Sequence, residues 1–480
     1  MSFTSVFPSL PIFRLNPRFL NSPADNFRRI RRRLAPGWRL SLLSAMVALT
    51  LVSCTPNLGG DNVGWTPVTV AFSETPGDPT LIYTAAQMDS DLGELGQKTG
   101  LDLGDDERQV KLAALEDFGS GTPRVVWTFP PLGSGDGLQG VFGPPAVSQE
   151  LGLIFLGAVD GTLYALNLET GEEGGGWKRA IRNDATQDPQ PIIGAPVLAE
   201  VFGGDAGQTA ILLVVSEDGH LYAFNAATGN ELAWSPFRTG DRIWSTPRVQ
   251  NGIAYFGSQD HYVYAVDLRD GKELWKYETG GAVVGNPLLF RGDVIIGSFD
   301  KKLYALDADD GELEWFFESG NWFWAGAVTD GENIFAPSMD GFVYALDTNA
   351  PSVGEAKQYL WRHNMGSPVV STPALVPLGL VVAAADGRVR VLSTSPSNLA
   401  DGEVITSWEA DEDESIKAPL VSGAPGSQGL DEAGTGLNVL QRHFVFMGSD
   451  NGVVRRVTVS EGQDIGTIWC FEGSLQRQCN

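Results

Sequence analysis

The sequence predicts an all-β chain that closes into an eight-bladed β-propeller of four-stranded antiparallel blades. One phrase returns along the chain: DGTLYALNLETGEE from Asp160, DGHLYAFNAATGNELAW from Asp218, DHYVYAVDLRDGKELW from Asp260, DKKLYALDADDGELEW from Asp300 and DGFVYALDTN from Asp340. Its tyrosines are Tyr164, Tyr222, Tyr264, Tyr304 and Tyr344, and the last three intervals are 42, 40 and 40 residues, the length of a four-stranded propeller blade. Glycine supplies 58 of 480 residues, about 12% against a usual share of roughly 7%, without a collagen-like period. Many turns and little helix follow. At one domain per roughly 150 residues the length suggests about three domains, but repeats that stack on one another form a single unit.

Within a unit the pattern has physical causes. A proline-marked run such as Ser-Thr-Pro247-Arg-Val is followed by an apolar run such as IAYFGSQD, then an alternating run such as YVYAVDL. A Gly-closed turn and a short run containing Trp complete four strands and three turns. The Asp or Asn at positions 167, 225, 267, 307 and 347 precedes a turn that Gly171, Gly229, Gly271 and Gly311 close in the first four cases. A short carboxylate or amide accepts backbone N–H groups across such a turn, and Gly supplies the positive φ. Tryptophans recur once per unit at Trp127, Trp177, Trp234, Trp275, Trp315, Trp361, Trp408 and Trp469, each positioned to cover the neighbouring sheet with a large apolar face.

Weaker copies extend the array. Downstream, Ser-Thr-Pro373 with Trp408 and Lys-Ala-Pro419 with Trp469 frame two more units. Upstream, Pro145 opens the Tyr164 unit, and a degenerate first copy runs from Pro67 through LIYTAA and QVKLAALED to Trp127, with an acidic insertion at 87–108. The starts number eight, and a closed ring leaves no open sheet edge between first and last blade. Seven blades with an N-terminal extension is the competing count.

Before the array, a basic stretch FRRIRRRLAPGWRL leads into an apolar run from Leu40 to Val52. That run is shorter than the roughly 20 residues of a membrane span and fits the core of a secretory signal. The domain division is therefore 1–53 signal peptide, 54–63 tether, 64–470 propeller and 471–480 tail. Residues 1–53 carry eight Arg, no Lys and one Asp, which leaves 25 basic against 58 acidic side chains, a charge of −33, on the remainder. Such a body repels nucleic acid and anionic lipid, so no nucleic-acid partner is expected. Beyond Cys54, Cys470 and Cys479 remain as the candidate disulfide. No metal site is expected, since the four His and three Cys show no ligand spacing.

Two resemblances follow. Leu51-Val52-Ser53-Cys54 resembles the lipobox of bacterial lipoproteins, which implies a lipid anchor on Cys54 and an extracytoplasmic place at the membrane, the outer one if the cell has two. A plain signal peptide with a coincidental cysteine is the alternative. The repeat itself, [GD]-x-[LV]-Y-A-[LFV]-[DN]-x-x-[TD]-G-x-x-x-W, resembles the tryptophan-docking repeat of the PQQ-like propeller superfamily over about residues 64–470. That superfamily includes quinoprotein alcohol dehydrogenases and BamB-type barrel-assembly lipoproteins. The dehydrogenases hold PQQ between a tryptophan and a vicinal Cys-Cys disulfide, with Ca²⁺ nearby, and no Cys-Cys pair exists here. The resemblance therefore implies a BamB-like, lipid-anchored scaffold for protein–protein interaction. No cofactor and no enzymatic activity go with it. A barrel-assembly complex is the partner it suggests, and a PQQ- and Ca²⁺-dependent quinoprotein is the alternative.

Candidate contact residues stand outside the repeat positions. Trp244 and Trp324 each lie three residues before a first strand, where Ile193, Val284, Val370 and Ile416 stand in other units. That equivalence favours packing over ligand contact. Trp322 has no counterpart and is the stronger candidate for touching a partner. The acidic run 409–414 and the carboxylates after Asp307 lack the spacing of a calcium loop and read as solvated loops. Departures from the repeat at 87–108, 178–192, 349–359 and 422–442 are the segments where specificity is expected.

Overall fold

Each middle strand of the array reads as a short apolar run, and in the computed structural model both of its faces are covered. Leu153–Gly157 is buried at every position, as a strand is when sheets lie against both sides. The outermost strands alternate instead: Glu273–Glu278 buries Trp275 and leaves Glu273, Leu274, Lys276 and Glu278 exposed. The structure describes residues 67–472 apart from 72–78, 90–107, 118–122, 132–136, 175, 183–187, 204–206, 349–353, 395–401, 410–414, 424–442, 450–452 and 460–465. The signal peptide, tether, Cys54, residues 90–107 of the 87–108 insertion, and Cys479 therefore lie outside the described residues. Cys470 belongs to a described strand, but its pairing with Cys479 falls outside them.

Eight antiparallel sheets follow one another in chain order, as the repeat count predicts. Blade 1 comprises β1 (Val68–Ala71), β2 (Thr80–Asp89), β3 (Arg108–Asp117) and β4 (Arg124–Phe129). Blades 2, 3 and 4 are β5–β8, β9–β12 and β13–β16, spanning Ala146–Ala180, Val197–Arg238 and Arg248–Glu278. Blade 5 is β17–β20, Leu288–Glu318, and blade 6 contains β21 (Val328–Thr329), β22 (Asn333–Pro337), β23 (Phe342–Asp347) and β25 (Tyr359–Asn364). Blades 7 and 8 are β26–β29, Ala374–Glu409, and β30–β33, Val421–Glu472. Each of the eight blade junctions has its own apolar cluster, including one that joins Ile82 and Leu115 of blade 1 to Phe446 and Val454 of blade 8. Among the described residues no strand of one end completes the sheet of the other, so the ring closes there through side chains.

The structure gives the turn glycines a reason that the phrase did not disclose. Trp275 donates from Nε1 to the carbonyl of Ala308 in the next blade at 2.9 Å and lies on the turn closed by Gly311. That glycine has φ +76°, and a Cβ there would fall 2.6 Å from the indole. Both the backbone conformation and the seat for the ring exclude a side chain. Trp127, Trp177, Trp234 and Trp361 sit on Gly171, Gly229, Gly271 and Gly402 in the same way. Trp234 does so from outside a strand, since the fourth strand of blade 3 is only Phe237–Arg238. Trp408 is half-buried beneath the guanidinium of Arg455 of blade 8, 5.3 Å from its centroid, and Trp469 lies in β33 (Gly466–Glu472) in register with Arg456.

Blade 6 breaks the rule and compensates. Its turn after Asp347 lacks the Thr-Gly closure, and the longer segment sends β24 (Glu355–Ala356) along the outer edge of blade 5 as a fifth, parallel strand. The buried Lys357 then covers Trp315, its Nζ 4.4 Å from the ring centroid. A cation over an indole takes the place of the glycine turn. Burial pulls the Lys357 amine below its ordinary range against the opposing pull of Asp347 and Asp293.

Asp293 begins β18 (Asp293–Gly297) directly opposite Asp307. Burial, helped by Glu314 and Asp307, pushes its carboxyl from 3.8 up to about 6. The folded state then holds a proton that the unfolded chain has released, so stability falls as pH rises from about 4 to 6 and the full cost persists above. Asp293→Asn is expected to raise stability at pH 7.5 by about 1 kcal/mol, discounted for partial exposure. Urea titrations at pH 7.5 and pH 4 check it, the gain vanishing at the lower pH.

Candidate interaction site at the channel mouth

Four repeats carry Ser-x-Asp before the tyrosine: Ser216 and Asp218, Ser258 and Asp260, Ser298 and Asp300, Ser338 and Asp340. The turn they form joins the second and third strands, and antiparallel order places it at the same end of the ring as the connections between blades. In each, the aspartate closes a local network. Asp260 accepts the backbone N–H of Tyr262 at 3.0 Å and the hydroxyl of Tyr264 at 2.6 Å. It also accepts the N–H of Gly240, from the connection entering the blade, at 2.6 Å. Asp300 and Asp340 repeat all three bonds with Tyr304 and Gly280, and with Tyr344 and Gly320.

These bonds explain the tyrosines. Burial first, then the adjacent carboxylate, pushes the hydroxyls of Tyr264, Tyr304 and Tyr344 far above the ordinary range, so they remain neutral donors. Asp218 is held below its usual range: burial opposes ionisation, but bonds from His220 and Tyr222 outweigh it. Tyr164 packs edge-on to Phe129 at 5.2 Å. The aspartates were missing from the sequence-derived candidates, although the spacing D-x-x-x-Y stands in every copy of the phrase. Their bonds fix the end of the ring.

On this fixed end the connections deliver their first residues to the channel. Phe142, Ile193, Trp244, Val284, Trp324 and Val370 line its mouth, one from each of blades 2 to 7. Polar groups just inside bond from blade to blade: Ala195 N–H to Thr246 Oγ1 at 3.0 Å, Thr246 N–H to Asn286 Oδ1 at 2.8 Å, and Gly326 N–H to Thr372 Oγ1 at 3.2 Å. Two indoles lean across the opening, Trp244 and Trp324, with centroids 6.0 Å apart. Phe299 stacks on Trp324 at 5.6 Å and on Trp322 at 4.5 Å, the latter pair within 10° of parallel.

All three tryptophan candidates therefore meet in one aromatic row. Trp324 is buried, while Trp244, Trp322 and Phe299 are half-buried. Trp244 donates from Nε1 to Glu217 at 2.9 Å, and burial raises that carboxyl against the pull of Arg242 and this bond. Phe299 was not among the sequence candidates. Its position between Ser298 and Asp300, where Glu217, Gln259 and Met339 stand in other blades, was the available signal.

The row leaves little room. The remaining cavity is about 80 Å³, smaller than the roughly 150 Å³ void that admits a benzene, so a tricyclic quinone does not fit beside these side chains. Among the described residues no group of three or more His, Cys, Asp or Glu is placed to hold a metal ion. The described residues at this mouth therefore do not match the donor set of a quinone and calcium centre.

No family model matches the chain, and no curated protein matches it. Among solved structures, BamB from Moraxella catarrhalis is similar in fold, with a TM-score of 0.53 at 16% identity, covering 82% of this chain and 94% of that one. The computationally designed protein Ika8 gives a TM-score of 0.47 at 16% identity, over 72% and 93% of the two chains.

Proposed function

We propose that this chain is a lipid-anchored extracytoplasmic scaffold of the BamB type, which binds other proteins at a bacterial membrane and assists outer-membrane barrel assembly. The observation that carries the reading is the likeness to nearly the whole length of a BamB chain. The lipobox-like Leu51-Val52-Ser53-Cys54 supports the anchor, and the narrow, aromatic-filled channel mouth suits surface contact better than ligand turnover.

Two experiments test it. Crosslinking in the native membrane followed by mass spectrometry is expected to recover a barrel-assembly component, and recovery of other proteins alone would sink the BamB-type role. Cys54→Ser is expected to move the protein from the membrane to the soluble fraction, whereas continued retention would remove the anchor.

A further inference from the structure

The rim of the channel repeats one contact in six blades. Val159, Glu217, Gln259, Phe299, Met339 and Ala385 each stand just before a turn aspartate. Each donates its backbone N–H to a carbonyl of the connection entering its own blade, at 2.8–3.1 Å. The backbone therefore sets these six places without calling on their side chains. Val, Met and Ala serve at three of them, so the fold does not require a polar group at any. Yet blades 3 to 6 carry Glu217, Gln259, Phe299 and Met339 in succession, polar first and apolar after.

Gln259 is the informative member. Its Nε2 is buried and has no hydrogen-bond partner among the described residues, and a buried amide left unmet opposes folding unless a ligand or water accepts from it. To one side, Glu217 accepts from Trp244 through Oε1 and Arg242 is half-buried. To the other, Phe299 lies flat against Trp322. Trp322 is half-buried, and Phe299 is its one ring neighbour among the described residues, so the second face of the indole carries no ring. Flat apolar surfaces with a few fixed polar groups are the make-up of a small-ligand site. The cavity below holds about 80 Å³, too little for a ring, so the body of a ligand stays on the rim. Glu217 and the −33 charge of the body disfavour phosphorylated and acidic ligands. What remains is a neutral molecule with an apolar ring face for the indole, a carbonyl for Gln259 and hydroxyls for a carboxylate. A pyranose bearing an acetamido group has all three.

We propose that the rim of blades 3 to 6 is a glycan-binding site for a neutral chain of N-acetylated amino sugars. One pyranose lies on the aromatic pair Trp322 and Phe299, its acetamido carbonyl accepts the orphaned Nε2 of Gln259, and hydroxyls of the chain face Glu217 and Arg242. The aromatic surface supplies affinity that any sugar face can use. The amide supplies the choice of acetylated sugars, because a buried donor is left unmet by a chain that lacks the carbonyl.

Neither the anchor nor a barrel-assembly partner enters the test, so its failure leaves the proposed function standing. The full chain in detergent is titrated with the tetrasaccharide of β-1,4-linked N-acetylglucosamine, and binding is read by tryptophan fluorescence and calorimetry. Saturation is expected, with the β-1,4-linked glucose tetramer, which lacks acetamido groups, bound at least about tenfold more weakly. Gln259→Leu is expected to weaken the acetylated tetramer about tenfold and leave the glucose tetramer unchanged, so that the preference disappears. Trp322→Ala weakens both, and Leu274→Ser, on the exposed outer edge of blade 4, changes neither. Unchanged melting confirms that the variants are folded. Peptide-free glycan strands from the cell wall, titrated in parallel, separate two sources: their binding names the wall polymer and their failure a free oligosaccharide, both supporting the site if the tetramer binds. No binding of the acetylated tetramer, equal binding of the two tetramers, or a preference that survives Gln259→Leu would overturn the proposal.

Discussion

Trp275→Ala is expected to cost about 3–5 kcal/mol of unfolding free energy, the range for removing a large buried aromatic. The indole contributes apolar burial between blades 4 and 5, where it packs with Tyr255 at 5.9 Å, and a bond to the carbonyl of Ala308. Truncation leaves a void and removes one of the two donors to the Ala308 carbonyl, the Tyr255 hydroxyl at 3.1 Å being the other. Gly311→Ala approaches the same interface from the other side. At φ +76° an alanine is strained, and its Cβ would stand 2.6 Å from the indole, so the ring must leave its seat. If the two lesions act on one contact, their double variant is less destabilised than the sum of the singles. Urea denaturation of the three variants decides this. Additive losses would mean that glycine and tryptophan act separately, and the account of the turn as a seat would fail.

That pairing marks how far the sequence was legible. Tyrosine, glycine and tryptophan recur at fixed spacing because each blade must meet the next in one way, and a local constraint repeated in every unit is visible in one chain. The blade count and the strand order followed from it. What was not legible depends on where separate units meet. Nothing in the segment after Asp347 announces that Lys357 replaces a glycine turn, because the indole it covers stands in the preceding blade. The three tryptophans near the channel were separate candidates in sequence, and only curvature of the ring brings Trp244 and Trp324 to 6.0 Å across the blade between them. The β-bulge that skips Leu274 between Glu273 and Trp275 of blade 4 was hidden for a related reason: register is a property of a strand pair, and the skipped residue looks like any other member of its run.

The same limit applies most strongly at the seam, where the second large effect is expected. Arg456 of blade 8 forms an ion pair with Asp117 of blade 1, across 339 residues of sequence. The two side chains are 0% and 3% exposed. No composition or periodicity argument could join them. A buried pair of this kind contributes little net stability relative to apolar residues that fill the same space, but half of it is costly to keep. Asp117→Asn is therefore expected to destabilise the ring by about 3–5 kcal/mol, since it leaves the guanidinium buried without its carboxylate. Combining D117L with R456M removes both charges at similar volume, and most of the loss is expected to return. Calorimetric melting of the single and double variants measures the difference. The ring closes here by side chains alone, without a shared sheet, so this seam is where opening should begin. Hydrogen exchange in D117N is expected to rise first along β2 and β32 (Val453–Val459), which pack against each other there, before it rises in blades 4 and 5. Uniform loss of protection around the ring would show instead that closure is no weaker than any other junction.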